Sequence, residues 1–193
     1  MRIRRSSWLA VSIILVLSVT SLSIGQKRHQ NSLYTIKHEY DSLEDRTVLM
    51  LFEMPLPVDY VTGIIQDAVT TDHLQITLTS SERGRSPKAP RVVLVSFDAR
   101  SDISDSSPPT LVVLAGKERL TFKSEFTWDP KSEYDRRHLM ITLPFYAIVK
   151  IANSQLPING NLGDIRFHFD KDNLFALREF VILSKQPAPP TRN

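Results

Sequence analysis

The chain has 193 residues, no cysteine and a formal net charge of +3. Without cysteine there are no disulfides, no thiolate metal site and no lipid-modified bacterial N-terminus, so an apolar core has to hold the fold. Three of the 24 basic residues are Arg2, Arg4 and Arg5, which leaves 21 against 21 acidic residues; a chain balanced in this way lacks the basic footprint of a nucleic-acid binder.

Those three arginines open a segment with the plan of an export signal. An uncharged apolar run follows from Trp8 to Val19, and the segment then turns small and polar through Thr20, Ser21, Ser23 and Gly25. A positive end, an apolar middle and a small-residue exit predict a secretory signal peptide over residues 1–25. The small-x-small spacing fits cleavage after Ser23 or after Gly25. An uncleaved anchor is the alternative. Both readings leave the arginines inside and place the rest of the chain across the membrane, in a periplasmic or extracellular setting. About 168 residues remain, enough for one domain with a substantial core.

Residues 26–40 read as a polar leader. A first strand is predicted over residues 47–53, ended by Met54-Pro55-Leu56-Pro57 because proline donates nothing to a ladder. Residues 73–79 alternate, with Leu74, Ile76 and Leu78 on one face, the pattern of a half-buried strand. After a break at residues 80–90, a strand resumes over residues 91–98, and a second polar break ends at Pro108-Pro109. Residues 110–115 and 118–123 flank Gly116-Lys117 and predict a tight hairpin. Residues 138–143 form a further strand. Pro144 suits the first turn of a helix, and Phe145, Ile148, Val149 and Ala152 give that helix one apolar face. A second hairpin is predicted over residues 158–169, turning at Gly163-Asp164 or at Asn159-Gly160. It puts Ile165, Phe167 and Phe169 on one side, with Arg166 and His168 on the other. Asp170 caps a last helix over residues 171–184, with Leu174, Leu177, Phe180 and Val181 on its apolar side. Residues 185–193 form a Pro-rich tail, disordered or extended.

The fold expected is mainly β: one β-sandwich or closed-sheet domain over residues 41–184, with two short helices in the C-terminal third. The C-terminal helix, hairpin and helix are expected to fold as one piece with it. The predicted core comprises Leu74, Ile76, Leu78, Val93, Val95, Leu139, Ile141, Phe145, Ile148, Val149, Phe167, Phe169, Leu174 and Leu177.

The most distinctive stretch runs from His138 to Leu183. Its Pro144, Lys150, Ile151, Ala152, Ile158, Leu162, Gly163, Phe167, Phe169, Leu174, Ala176, Leu177 and Arg178 resemble the C-terminal helix/hairpin/helix module of a set of uncharacterised exported bacterial proteins. Residues 40–47 and 111–120 resemble the same set. Ile158 stands where that pattern has Val, and Asn159 where it has an acidic residue. The resemblance implies export and one folded module, and it implies no activity.

Chemistry-bearing motifs are sparse. The five histidines, His29, His38, His73, His138 and His168, show no metal-ligand spacing, and no G-x-S-x-G elbow is present. No metal and no cofactor is expected. Glu125 to Asp135 reads as an acidic loop carrying Trp128 and Tyr134, and aromatic rings beside carboxylates suit sugar binding. Arg166 and His168 share a strand face that Asp170 would continue. The candidate ligand-binding residues are therefore Trp128, Asp129, Glu133, Tyr134, Arg166 and His168, each of which also suits a solvated surface. Arg83, Arg85, Lys88 and Arg91 form a basic break that Glu82 dilutes. The function expected is an exported, non-catalytic binding or structural module of the cell envelope, with an envelope protein or a carbohydrate as partner. The alternative is an extracytoplasmic hydrolase that uses loop carboxylates on carbohydrate.

The signal reading generates a direct prediction. Intact mass or N-terminal sequencing of the exported protein is expected to give Ile24 or Gln26 as its first residue, whereas a form that keeps residues 1–25 would be an anchored one.

Overall fold

Alternation of apolar and polar residues runs through most of the chain, and in the computed structural model each such stretch is a strand. The structure describes residues 26–27, 34–60, 69–70, 73–85, 89–99, 108–128 and 137–189. In chain order the strands are β1 (Gln26–Lys27), β2 (Thr35–Asp41), β3 (Arg46–Tyr60), β4 (Val69–Thr70), β5 (His73–Arg83), β6 (Val92–Ala99), β7 (Thr110–Ala115), β8 (Glu118–Trp128) and β9 (Arg137–Pro144). Helix α1 (Phe145–Asn153) follows, then β10 (Ile158–Leu162), β11 (Ile165–Phe169) and helix α2 (Lys171–Leu183).

Eight of these strands close on themselves. The ring runs β3–β11–β10–β7–β8–β9–β6–β5 and returns to β3, with every pair antiparallel. Of the two architectures expected, the closed sheet is the one formed: a single barrel rather than a sandwich of two sheets. Strand β2 is an extra strand on β3, and β1 and β4 add two residues each to β2 and β5. The C-terminal hairpin β10–β11 does not lie on a finished domain. It supplies two of the barrel's own strands, seated between β3 and β7.

Closure depends on β3, which runs straight through the prolines expected to end it. Its 15 residues hold β5 along one edge. Its other edge is shared, with β2 over Arg46–Phe52 and β11 from Val58 to Tyr60. A β-bulge between Leu51 and Met54 places Glu53 at φ 52 and returns Met54 to the inner face. In an antiparallel ladder a residue's N–H and C=O point to the same edge and alternate along the strand. The Pro55 carbonyl accepts from Asn173 Nδ2 at 2.7 Å, so Pro55, and Pro57 in phase with it, turn away from β5. They face the gap between the start of β2, where Thr35 stands opposite Phe52, and the C-terminal end of β11, where no ladder donor is required.

Three further boundaries differ from expectation, the first being β5, which runs on to Arg83, four residues into the expected break. The polar leader contains β2, because Tyr34, Ile36 and His38 alternate inward with polar outer neighbours. Strand β8 extends to Trp128, so Glu125 and Trp128 are ladder residues opposite Met140 and Arg137 and not parts of a loop.

Both helices lie at one end of the barrel. Strands alternate in direction around the ring, so β9 and β11 run the same way, and α1 and α2 each start where one of them ends. Pro144 is the residue preceding α1 and the last of β9, not a first-turn residue. Asp170 caps α2 in a reciprocal box with Asn173, which also bonds Pro55 of β3. Arg178 of α2 donates Nε–H to the Ala152 carbonyl at 2.7 Å, satisfying an orphan acceptor in the last turn of α1. Tyr34, before β2, donates to Glu179 at 3.3 Å.

The core fills the barrel. Thirteen of the fourteen predicted core residues are buried, and Val149 is partly buried against them. The buried face of α1 lies slightly around the helix from the expected one and uses Ala147 and Ile151 as well. Beyond α2, Ala188 is 2% exposed, so the first part of the tail packs rather than standing free.

The hairpin turns at Gly163-Asp164, with Gly163 at φ 57. Gly160 has a different task. It pairs directly with Phe167, whose ring lies over its backbone; a Cβ at Gly160 would sit 2.3 Å from Phe167 Cζ. Phe167 is 1% exposed and meets Phe169 edge-on at 5.8 Å, so the ring has nowhere to move. Gly160→Ala is expected to cost about 1–3 kcal/mol in a denaturant titration. The double variant with Phe167→Leu is expected to lose less than the two single losses added together, since removing the ring frees the space; simple additivity would count against this packing.

Candidate functional site

The outer wall carries one polar row built by strand register. Arg166 and His168 alternate outward from β11, since Ile165, Phe167 and Phe169 take the inner face. Asn161 and Asn159 of β10 stand directly opposite them. His168 Nδ1 lies 3.0 Å from Asp59 Oδ1 of β3, with side-chain exposures of 39% and 55%. The row continues across β7 and β8 through Leu114 and Arg119. A carboxylate on one ring nitrogen orients the imidazole and leaves the other nitrogen toward solvent. The row can therefore offer amide, imidazole and guanidinium hydrogen bonds to a polar ligand lying on the wall.

The carboxylate beside His168 is Asp59, not Asp170, whose side chain accepts from Asn173 N at 2.8 Å as the cap of α2. Trp128 does not join Arg166 and His168: it ends β8, and β10 and β7 stand between β8 and β11. Asp129, Glu133 and Tyr134 lie outside the described residues, as do His29 and the signal segment. Among the described residues, no group of three His, Asp or Glu side chains is placed to hold a metal ion.

The lumen is occupied by side chains. Leu56, Ile76, Phe97, Val113 and Phe167 meet Ile148, Ile151 and Leu177 of the helices around a residual space of about 30 Å³. Its lining is apolar throughout, so it offers a water no hydrogen-bond partner. A larger concavity lies outside, on the β2–β3 hairpin. It measures about 410 Å³ and has an apolar floor of Val48 and Met50, with Lys37, Glu39, Asp41 and Leu43 around it. Lys37 and Glu39 pair at 2.7 Å. The Asp41 carboxylate accepts from Leu43 N and Glu44 N and so fixes the turn, leaving Leu43 96% exposed at its tip.

Sequence reasoning missed Asp59 and this groove for the same reason. One lies beyond the prolines of β3 and the other in the presumed leader, both read as non-strand. The signal that could have found them is outward alternation, of Asp59 after Met54 and Leu56, and of Lys37, Glu39 and Asp41 between Ile36, His38 and Tyr40.

Two buried groups on the inner side of β2 have displaced pKa values. Burial, reinforced by the charge of Glu179, pushes the Tyr34 hydroxyl well above the usual tyrosine range. Burial lowers the His38 imidazole below its ordinary value. His38 is 7% exposed and shares a cross-strand row with Leu49 and Ser80. No family model, curated protein or solved structure matches the chain.

His38 generates a pH prediction. The unfolded chain takes up a proton there near pH 6.5, while the folded chain resists it. The stability contributed by neutral His38 is thus fully present above pH 6.5 and is lost as the pH falls toward its lowered folded value. Urea midpoints at about pH 7.5 and about pH 5 are expected to differ more for the parent chain than for His38→Gln. Equal pH dependence in both would show that His38 is free to ionise in the fold.

Proposed function

We propose that this chain is an exported, non-catalytic module of the cell envelope that binds or supports its partner from the outside of its barrel. The filled lumen carries this reading. An eight-stranded barrel has room for side chains or for one small ligand, and here side chains and two helices take that room. Recognition is therefore assigned to the wall. The wall offers the polar row around His168, and it exposes apolar side chains that a solvated barrel has no need of: Leu114 at 46%, and Val92 at 47% beside Leu94 on the same face of β6. Polar groups flanking an exposed apolar side chain fit a protein surface or a carbohydrate. The signal plan of residues 1–25 and the resemblance to exported proteins support the envelope setting.

The test is cross-linking in the native envelope, with a photoreactive residue at Arg166, at Leu114 or, as an opposite-face comparison, at Leu94. One of these positions is expected to capture an envelope protein or glycan, and the mature protein is expected to show no hydrolysis of envelope polysaccharide. Recovery of the protein alone from all three positions would sink the binding reading. Hydrolysis that Glu125→Gln abolishes would replace it with the enzyme.

A further inference from the structure

The outer wall formed by β11, β10, β7 and β8 is segregated by charge. Apart from Arg2, Arg4 and Arg5 the chain carries 21 basic and 21 acidic residues. Yet the outward positions of β10 and β11, and of β7 and β8 where those two pair, hold no carboxylate. Arg119 and Lys123 of β8 are exposed there, and among the described residues neither is in an ion pair. Of the carboxylates nearby, Asp59 is engaged by His168 and Glu118 by Lys150. Asp164 sits in the β10–β11 turn, and Glu125 lies farther along β8, opposite β9.

Register fixes how far apart the charges stand. Arg119 lies opposite Leu114, which lies opposite Asn159, which lies opposite His168. Neighbouring strands are about 4.8 Å apart, so this row is about 14 Å long. Lys123 is on the same face of β8, about 13 Å further along the strand. Its cross-strand partner is Thr110, and that of Arg119 is Leu114. The two cations therefore offer single charges at an interval, not a clamp for one small anion. Between them and β11 come the exposed amides of Asn159 and Asn161, the exposed hydroxyl of Thr121 and the apolar Leu114.

We propose that this wall binds an acidic polysaccharide, a hydroxyl-rich chain that carries a carboxylate at intervals. The proposal deepens the wall reading above and rests on it. Arg119 and Lys123 meet the carboxylates. The amides, which both donate and accept, meet sugar hydroxyls, which do the same, and Leu114 meets the apolar face of a ring. Single-stranded nucleic acid calls for aromatic rings on which its bases stack, and no described outward side chain of these four strands is aromatic. A membrane surface calls for a face of large apolar side chains, and of the described side chains on these strands Leu114 alone is large, apolar and exposed.

The experiment is calorimetric titration of the exported protein with polygalacturonate. Dextran, phosphatidylglycerol vesicles and a single-stranded oligonucleotide serve as comparisons. Polygalacturonate is expected to bind and neutral dextran is not. Arg119→Glu with Lys123→Glu is expected to weaken binding about tenfold or more. Arg83→Glu with Arg85→Glu makes the same charge change at the end of β5 and is expected to leave it within about twofold. Asn159→Leu, which changes no charge, is expected to weaken it about threefold. All of these positions are exposed, so each variant is expected to melt as the parent does. Absence of polygalacturonate binding, or equal weakening by the two charge pairs, would overturn the proposal. So would tighter binding of the vesicles or the oligonucleotide that Arg119→Glu with Lys123→Glu removes, which would assign the patch to lipid or nucleic acid. The wall reading is judged apart from this: capture of an envelope protein at Leu114 would keep it and overturn the glycan, whereas recovery of the protein alone from all three cross-linking positions would overturn both.

Discussion

The fold depends on one strand that serves three neighbours. β3 holds β5 on one edge and gives its other edge first to β2 and then to β11. Without the β11 contact the sheet would have two unjoined edges, one on the last part of β3 and one on β11, and no barrel. The handover leaves a gap of a few residues on that edge, and the sequence answers it with Pro55 and Pro57, which have no donor to waste there. The carbonyl of Pro55 is taken by Asn173. That side chain is also half of the α2 cap, so the closing strand and the closing helix are fixed by the same buried amide. Asn173 is 3% exposed, and leaving either end of its side-chain amide unpaired at that depth would cost about 1–3 kcal/mol.

Much of this was legible locally. Gly116-Lys117 and Gly163-Asp164 mark the two tight hairpins, Asp170 marks the start of α2, Pro144 marks that of α1 to within one residue, and Leu74, Ile76 and Leu78 announce their face by alternation. What was not legible is what depends on a neighbour remote in sequence. Whether a proline ends a strand depends on which edge its nitrogen faces, and that is set by β2 and β11, not by the residues around it. Asp170 reads both as the cap of the last helix and as a continuation of the β11 face, because the cap rule for a helix and the face rule for a strand both apply at that position; the cap is what forms, since Asn173 supplies the return bond. The Asp59–His168 contact spans 109 positions, so neither residue signals the other.

The filled lumen also explains why the sequence offered no concentrated motif. A barrel that binds inside must place polar groups among its inward residues, where they interrupt the apolar alternation. Here the inward positions of β5, β6, β9 and β11 are almost uniformly apolar, with Ser80 and His38 near the end that the hairpin extends. The polar and charged residues are distributed over the outside in register with the strands, where they are indistinguishable in sequence from ordinary solvated faces. Function on such a wall is a matter of which strands are adjacent, and strand order is the property that sequence states least.

The residues that carry the resemblance to exported proteins have structural positions in this light. Ile151, Ala152, Ala176 and Leu177 are buried between or beneath the two helices, and Arg178 ties the helices together through the Ala152 carbonyl. Gly163 makes the turn, Phe167 covers Gly160, and Lys150 pairs with Glu118 at the foot of the β7–β8 hairpin. Leu162 and Ile158 face inward from β10. Together these residues insert the last two strands and fasten the helices beneath them. These residues are spent on closure, whereas the polar row of Asp59 and His168, the exposed Leu114 and the β2–β3 groove are built by other positions.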